Sequence, residues 1–531
     1  MTDSPREGAP DTRRDRAPDI LLFSPPPWLV SGPPLGLAAL SAFLRAEGWG
    51  VRVLDGNAKT YRRSSSAYHK LWLWDYSAFW EDAERVERAF GDVLRALAED
   101  AAAIGAPVVG VNVVHRKEAA AAIFLRRLRE LQPDVLVFVG GPGAGWRESR
   151  DHMRHVAANL IDGFVVGEGE ITCHELLSRI GRGESPDNLP GFVTGDESGE
   201  SRFRPGPFLT DMGRLPVPDF GDFDMTEYDI DSLVVEWNRG CVARCTYCSI
   251  NEYWNAFRFK SAEAVATELE TLATRHGIRR FTVVDPMVNG NPDHLERVCD
   301  AIIARGISVE WSAGFSPNKT VSAEVFRKLR AAGCWKLEFG VDSGSDRILK
   351  KMGKRYRADA AGQMIDDAHN AGIEVMLYLI VGFPGETDET VDETIAWLRR
   401  HARAIDMVRS VSSLTIEDGT AVERRAELFG IDELDRSDTH WRDDWSAGED
   451  TPAIRAARVE RVLATIRELG ITIESELVAD GSALAAGPDA WADTVVDEEF
   501  LRNHERQRQA HGGSMMCSSF PGGQADVQER A

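Results

Sequence analysis

The stretch SLVVEWNRGCVARCTYC (232–248) places three cysteines, Cys241, Cys245 and Cys248, directly after a short apolar run. The run reads as a β-strand, so the cysteines fall on the loop that leaves its C-terminal end. Downstream, apolar runs continue to alternate with helix-length amphipathic segments. Further strands are expected at FTVVD (281–285), SVEWSA (308–313), KLEFGV (336–341), EVMLYLIVG (374–382) and VRSVSSL (408–414). Helices are expected between them at 262–276, 292–305, 323–332, 358–371 and 388–401. Six β-α units on one sheet predict a partial (β/α)6 TIM-type barrel over 232–430, whose chemistry sits at the C-terminal ends of the strands.

Toward the N-terminus, a stretch over 183–231 rich in Gly, Pro and Asp reads as a linker. Before it, ILLFS (20–24), VRVL (51–54), PVVGVNVV (107–114), VLVFV (135–139) and GFVV (163–166) alternate with helical patterns at 35–47, 80–99 and 117–131. Apolar runs without polar alternation suit a parallel sheet covered on both faces. Residues 19–182 therefore read as a doubly wound α/β domain, flavodoxin-like or Rossmann-like. Residues 1–18 are expected to be disordered and lack the apolar core of a secretory signal. Residues 431–510 read as an acidic helical region bearing Trp441, Trp445 and Trp491, in which the helices around Trp441 and Trp445 are candidates to close the barrel mouth, with packing the equal alternative for those rings, and 511–531 as a flexible tail.

Composition narrows the function classes. Across 531 residues, 85 Asp and Glu face 62 Lys and Arg, for a net charge of −23. Such a surface repels phosphate backbones, which argues against nucleic-acid and anionic-membrane partners. No run of about 18 apolar residues suggests a membrane span. The seven cysteines are odd in number and three are clustered, which points to reduced thiols in the cytoplasm rather than a disulfide framework.

Three cysteines so closely spaced read as a ligand set. A structural zinc site needs a fourth Cys or His, and none other occurs from Pro205 through Arg275. A [4Fe–4S] cluster held by three thiolates leaves one iron open to an exogenous ligand; three metal-free structural cysteines are the plain alternative. The C-x-x-x-C-x-x-C loop, with Tyr247 before its last cysteine, resembles the radical S-adenosylmethionine (SAM) enzyme superfamily. That resemblance implies that the open iron chelates SAM and that one electron cleaves it to a 5′-deoxyadenosyl radical. Asp285, in VVDPMVNG, matches a polar position near the SAM methionyl end. Gly340-Val341-Asp342-Ser343-Gly344-Ser345 is similar to the G-x-E-S-G-S segment that meets the ribose, with Asp342 in place of Glu. Gly382-Phe383-Pro384-Gly385-Glu386-Thr387 is similar to the GFPGET turn beside the adenine. The resemblance thus implies Tyr247, Asp285, Asp342, Ser343, Gly382 and Pro384 as SAM-binding residues. Read from the residues alone, Asp285 is a strand-end turn residue, 342–345 a helix N-cap box, and GFPGET a turn whose Thr387 caps the next helix.

In the N-terminal half, Gly140-Gly141-Pro142-Gly143-Ala144-Gly145 follows a strand and invites a dinucleotide reading. Its place after the fourth strand, and the amide lost at Pro142, weaken that reading. Pro33-Pro34-Leu35-Gly36-Leu37, Gly140-Gly141-Pro142 and Gly167-Glu168-Gly169-Glu170 instead resemble the cobalamin-binding domain upstream of the barrel in one class of radical SAM enzymes. That implies Pro34, Leu35, Gly36, Gly140, Gly141, Gly167, Glu168, Gly169 and Glu170 as cobalamin-binding residues. The two glycine loops would line the slot for the nucleotide tail, where small residues admit a bulky group between strand ends. The D-x-H-x-x-G segment that gives cobalt an axial His elsewhere is absent; the first loop reads Ser24-Pro-Pro-Pro-Trp28. His115 is a candidate neighbour, with a capping or surface role the plainer reading. Cys173, Cys299 and Cys334 read as buried fillers, and Cys517 as an incidental thiol or a relay.

These resemblances imply a cobalamin-dependent radical SAM enzyme using a [4Fe–4S] cluster, SAM and cobalamin. Its expected chemistry is methyl transfer, by way of methylcobalamin, to an unactivated carbon or phosphorus of a natural-product intermediate. The expected partners are a small-molecule or peptide substrate and a one-electron donor of flavodoxin or ferredoxin type. Two other readings stand beside it: a B12-dependent cyclase or rearrangement enzyme without net methyl transfer, and a non-catalytic iron–sulfur or cobalamin sensor. Against the sensor, the acidic C-terminal helices do not resemble a DNA-reading output module.

Overall fold

The structure is a computed structural model and describes residues 17–476, apart from 73, 115–116, 255, 318–320, 436–440 and 443. His115, Trp491 and Cys517 therefore lie outside the described residues. In the N-terminal half, β1 (Ile20–Ser24), β2 (Val51–Asp55), β3 (Val108–Asn112), β4 (Leu136–Gly140) and β5 (Gly163–Val165) form a parallel sheet in the order 2-1-3-4-5. That is the flavodoxin-like order, whose direction reverses between β1 and β3 and opens a crevice at the strand C-termini. A sixth strand, β6 (Phe192–Thr194), pairs antiparallel with β5 and comes from the stretch read as linker.

Helices α1 (Leu35–Ala46), α2 (Gly56–Arg63), α3 (Ala83–Ile104), α4 (Glu118–Leu131), α5 (Arg147–Val156) and α6 (Gly169–Gly181) complete this half. All of β1 is buried, and its alternating side chains feed two cores, as the two-residue period of a strand requires. Leu21 and Phe23 pack with Phe90 and Phe124 from α3 and α4. Ile20 and Leu22 pack with α1 and α6 in a core that runs on into the barrel.

The second half contains β7 (Leu233–Val235), β8 (Arg280–Val283), β9 (Glu310–Phe315), β10 (Cys334–Asp342), β11 (Glu374–Val381) and β12 (Met407–Ser413), paired side by side in chain order and all parallel. Between them run α7 (Ala262–His276), α8 (Pro292–Ala304), α9 (Ala323–Ala331), α10 (Asp346–Lys351), α11 (Ala358–Asn370) and α12 (Asp388–His401). Thr387 caps α12 through a capping box with Thr390, which fixes how the 382–387 turn enters the helix.

The expected six strands gain a seventh. Within the region read as helical, α13 (Pro452–Glu468) does form, but Gly470 at φ 71° breaks the helical path. The chain then continues as β13 (Thr472–Glu476), parallel to β12 at the sheet edge. Among the described residues, no helix is long and apolar enough to cross a membrane.

Candidate active site between the two domains

The cysteine loop is held at both ends by carboxylates from neighbouring strand ends. Asp285, just past β8, is 3% exposed. One of its oxygens accepts the backbone N–H groups of Trp237 (2.7 Å) and Asn238 (3.0 Å), and the other accepts the Asn238 side-chain amide. Burial keeps this carboxyl well above the usual carboxylate range despite those donors. Asp342, the last residue of β10, accepts the Tyr247 hydroxyl and pairs with the Lys354 ammonium. It sits at φ 65°, where a short polar side chain is among the few tolerated. Burial disfavours the Lys354 ammonium, but the charge on Asp342 outweighs it and holds the group well above its usual range. Burial first, and then the same carboxylate, push the Tyr247 phenol well above its ordinary value.

Between these anchors, Thr246 N–H donates to the Met352 carbonyl at 2.9 Å. The chain enters the loop through Gly240 at φ 82°, where a Cβ would lie 2.4 Å from the Ala256 carbonyl oxygen. All three cysteines are half-buried and free. Burial pushes the Cys241 thiol up and that of Cys248 up to about 12, so a bound metal must supply the charge that makes them thiolates. Among the described residues, no three Cys, His, Asp or Glu side chains converge on the position of a single ion. A zinc site needs that convergence, with every sulfur about 2.3 Å from one ion. A [4Fe–4S] cluster does not, because each thiolate binds a different iron. The donor set fits the cluster.

A buried ion-pair network joins the cysteine loop to the N-terminal half. Arg239, two residues before Cys241, directs Nε to Glu236 (2.8 Å), Nη1 to Glu168 (2.9 Å) and Nη2 to Glu170 (2.7 Å). Arg258, paired with Arg239 across a short antiparallel ladder, adds a 2.5 Å contact to Glu168 and donates to the Leu209 carbonyl at 2.6 Å. Burial would raise the Glu170 carboxyl, but Arg239 more than reverses this and holds it below its usual range. Four buried charges and the half-buried Glu236 are tolerable here because each has a partner.

Above this network lies a cavity of about 860 Å³ with one wall from each half, within the usual range for ligand sites. Cys241, Cys245, Tyr247, Cys248, Asp285 and Asp342 line the barrel side. Pro34, Leu35, Gly36, Gly140, Gly141, Gly167, Glu168, Gly169 and Glu170 line the other, with Trp28 and Cys173. A Cβ added at Gly36 or Gly167 would meet nothing within 4 Å. Glycine early in α1 costs up to about 1 kcal/mol relative to Ala, and nothing in the protein requires its bareness. The wall is therefore built for a large group to lie against it, as cobalamin would.

Three of the expected SAM residues are not brought to this cavity. Ser343 is buried, with Oγ accepting the Ser345 N–H at 3.1 Å and lying 3.3 Å from Thr394 Oγ1. Gly382 lies under the Arg455 side chain, its N–H donated to Glu386, and the Pro384 carbonyl accepts from Lys351 at 3.4 Å. That turn packs against α13, and Leu379 and Ile380 reach the cavity in its place. Trp445, a candidate for the barrel mouth, is 1% exposed and lies 3.7 Å beneath the Arg455 guanidinium, so it is core packing. The carboxylates of Glu168 and Glu170, read as facing cobalamin, are taken up by Arg239 and Arg258. Cys173, Cys299 and Cys334 are buried.

The sequence reading assigned no role to Arg239, Lys354 or Glu338. Lys354, in Met352-Gly353-Lys354, was signalled only by its place shortly after the 340–345 segment. Glu338 and Tyr378 form a hydrogen-bonded pair (2.6 Å) on the cavity floor beside Ser410; a carboxylate in a buried strand two residues before Gly340 was its only sign.

Residues 235–398 match the radical SAM superfamily, and the barrel is a radical SAM domain. Over 376 residues the chain is 26% identical to an uncharacterized methyltransferase of Pyrococcus horikoshii, spanning 70% of this chain and 74% of that protein. Over 442 residues it is 24% identical to cytidylyl-2-hydroxyethylphosphonate methyltransferase of Streptomyces wedmorensis, spanning 73% and 77%. Among solved structures, the cobalamin-dependent S-adenosylmethionine radical enzyme OxsB with aqua-cobalamin bound matches with a TM-score of 0.65 at 15% identity, over 93% of this chain and 71% of that one. This last likeness concerns the fold, and it spans both halves.

Proposed function

We propose that this chain is a cobalamin-dependent radical SAM methyltransferase acting on a small molecule or peptide. The observation that carries the reading is the single cavity, with a three-cysteine loop on one wall and a glycine-lined, sterically open surface on the other. When bound, the [4Fe–4S] cluster with SAM supplies a 5′-deoxyadenosyl radical and cobalamin relays a methyl group. Cys241, Cys245 and Cys248 hold the cluster, and Asp285, Asp342 and Tyr247 fix their loop. Gly36, Gly140, Gly167 and Gly169 leave room for cobalamin. Glu338, with Tyr378 donating to it, offers a buried acceptor that orients a hydroxyl or amino group entering the barrel floor. The protein thus works by positioning and by excluding water. Two relatives named as methyltransferases favour methyl transfer over cyclisation or rearrangement. We place the enzyme in the cytoplasm, where free thiols and a cluster stay reduced.

The test is anoxic purification, reconstitution with iron, sulfide and hydroxocobalamin, and addition of SAM and a reductant. The expected products are 5′-deoxyadenosine and S-adenosylhomocysteine, with two SAM consumed per methyl transferred once a substrate is supplied. Failure to bind cobalamin removes the methyltransferase reading.

A further inference from the structure

The polar groups inside the barrel restrict what can enter it. Among the described residues, the cations that line the cavity are Arg239 and Lys354. Both are taken up, Arg239 by Glu168, Glu170 and Glu236, and Lys354 by Asp342. Under the floor, Lys336 lies 3.5 Å from Glu338 and also faces Glu374, while Arg409 pairs with Glu474 at 2.7 Å. No cation is left over there for a ligand.

The β12 strand presents hydroxyls instead. Ser410 and Ser412, two residues apart, share its cavity face. Ser410 is 2% exposed and stands in register with Tyr378 of β11. Neither serine hydroxyl has a hydrogen-bond partner among the described residues. A deeply buried hydroxyl without a protein partner is unfavourable, and an occupant that bonds it offsets that cost. Just past the strand, Glu417 lines the cavity, close enough to Cys248 for its charge to add to burial in raising that thiol. Glu417 is half-buried and forms no ion pair with a described residue.

A carboxylate or phosphate entering this space meets acids and no free cation, and burying it unpaired is costly. An aliphatic amine, protonated at neutral pH, meets Glu417. Hydroxyls, which both donate and accept, meet Ser410, Ser412 and the Tyr378–Glu338 pair. We infer that the substrate is an amino-polyol, a hydroxylated small molecule of the aminosugar kind, with its hydroxyls on the barrel floor and its ammonium at Glu417. The inference rests on the radical SAM methyltransferase reading above and narrows its substrate class.

The test uses anoxic holoenzyme reconstituted with cluster and cobalamin, saturated with SAM and left unreduced. Four probes are titrated calorimetrically. D-glucosamine, D-glucose and D-glucuronate share a hydroxylated ring and differ in charge, and cyclohexylamine keeps the ring and the charge without hydroxyls. Glucosamine should bind about tenfold tighter than glucose or cyclohexylamine, and glucuronate should bind weakest. Glu417→Gln should bring glucosamine to the glucose value. Ser410→Ala/Ser412→Ala should weaken glucosamine and glucose alike, and Glu427→Gln, an exposed carboxylate that does not line the cavity, should match wild type. Absence of glucosamine binding overturns the inference, as does glucuronate or cyclohexylamine binding equally well. So does a Glu417→Gln protein that keeps the wild-type ranking but loses affinity for SAM, read from the EPR signal of the reduced cluster. Each of these outcomes leaves the radical SAM reading standing as long as SAM alters that signal in wild type. A wild-type protein that assembles no cluster removes both readings.

Discussion

The two walls of the cavity are built on opposite principles. On the barrel side, charged groups are present and, Glu417 apart, every one described above is committed. Asp285 holds the start of the cysteine loop, Asp342 its end through Tyr247 and Lys354, and Arg239 is surrounded by three carboxylates. On the other side the wall consists largely of proline, glycine and small apolar residues. Its two acids, Glu168 and Glu170, spend their carboxylates on ion pairs with Arg239 and Arg258. One wall is defined by the side chains it fixes and the other by the side chains it omits. A preorganised polar wall suits a compact charged cofactor whose atoms must be placed closely, and a bare wall suits a large flat one that needs area.

Breaking the barrel wall should have the largest effect. Replacing Cys241, Cys245 or Cys248 with Ala should abolish bound iron and SAM cleavage, while hydroxocobalamin binding persists. Iron and sulfide content and a visible titration check both halves of that statement.

The join between the walls should come next. Arg239→Met leaves Glu236 and Glu170 without a guanidinium and Glu168 with that of Arg258 alone, at side-chain exposures of 20%, 7% and 7%. The expected loss is about 3–5 kcal/mol in chemical denaturation, and Glu170→Gln in the same background should recover part of it.

Two buried titratable groups should then separate the halves by pH. Glu386 in the barrel has its carboxyl raised by burial to about 7. Its folded value exceeds the unfolded one, so the stability it contributes is present at low pH and is lost as pH rises through about 7. Lys117 in the N-terminal half, fully buried, is lowered by burial to about 8. Its contribution is full above the unfolded lysine range and is lost as pH falls toward about 8. Each effect is roughly 3 kcal/mol. Glu386→Gln should flatten the denaturation profile on the acid side of neutrality, and Lys117→Met should flatten it on the alkaline side.

The smallest effect should sharpen the contrast most. Gly36→Leu fills empty space rather than removing a contact. Hydroxocobalamin affinity should fall about tenfold, or ~1.4 kcal/mol, with iron content unchanged and apoprotein stability equal or higher.

Much of this arrangement was legible in the residues. Apolar runs such as ILLFS and VLVFV declared buried parallel strands, and the cysteine spacing declared a ligand loop at a strand end. The glycine loops line the side of the cavity opposite the cysteines, although Gly141 and Gly167, at φ 97° and 91°, also serve the turns they stand in. Partners distant in sequence were not legible. Nothing local says that Asp342 takes the hydroxyl of Tyr247, 95 residues upstream, or that Glu168 meets Arg239 across the domain seam. The Gly382–Thr387 turn had the right composition for a ligand loop, but Arg455, far along the chain, covers it. β13 was missed because Thr472-Ile473-Glu474-Ser475-Glu476 is short and polar but for Ile473, as an edge strand can be, and follows a long helix; the β-branched run after Gly470 was its one signal.

The guanidinium shared by both domains also sets the spacing between the cavity's two sides. Arg239 stands two residues before Cys241 and is clamped by Glu168 and Glu170 from the glycine-lined half, so a guest resting on one side meets the other at a separation that the ion pairs, and not the guest, determine.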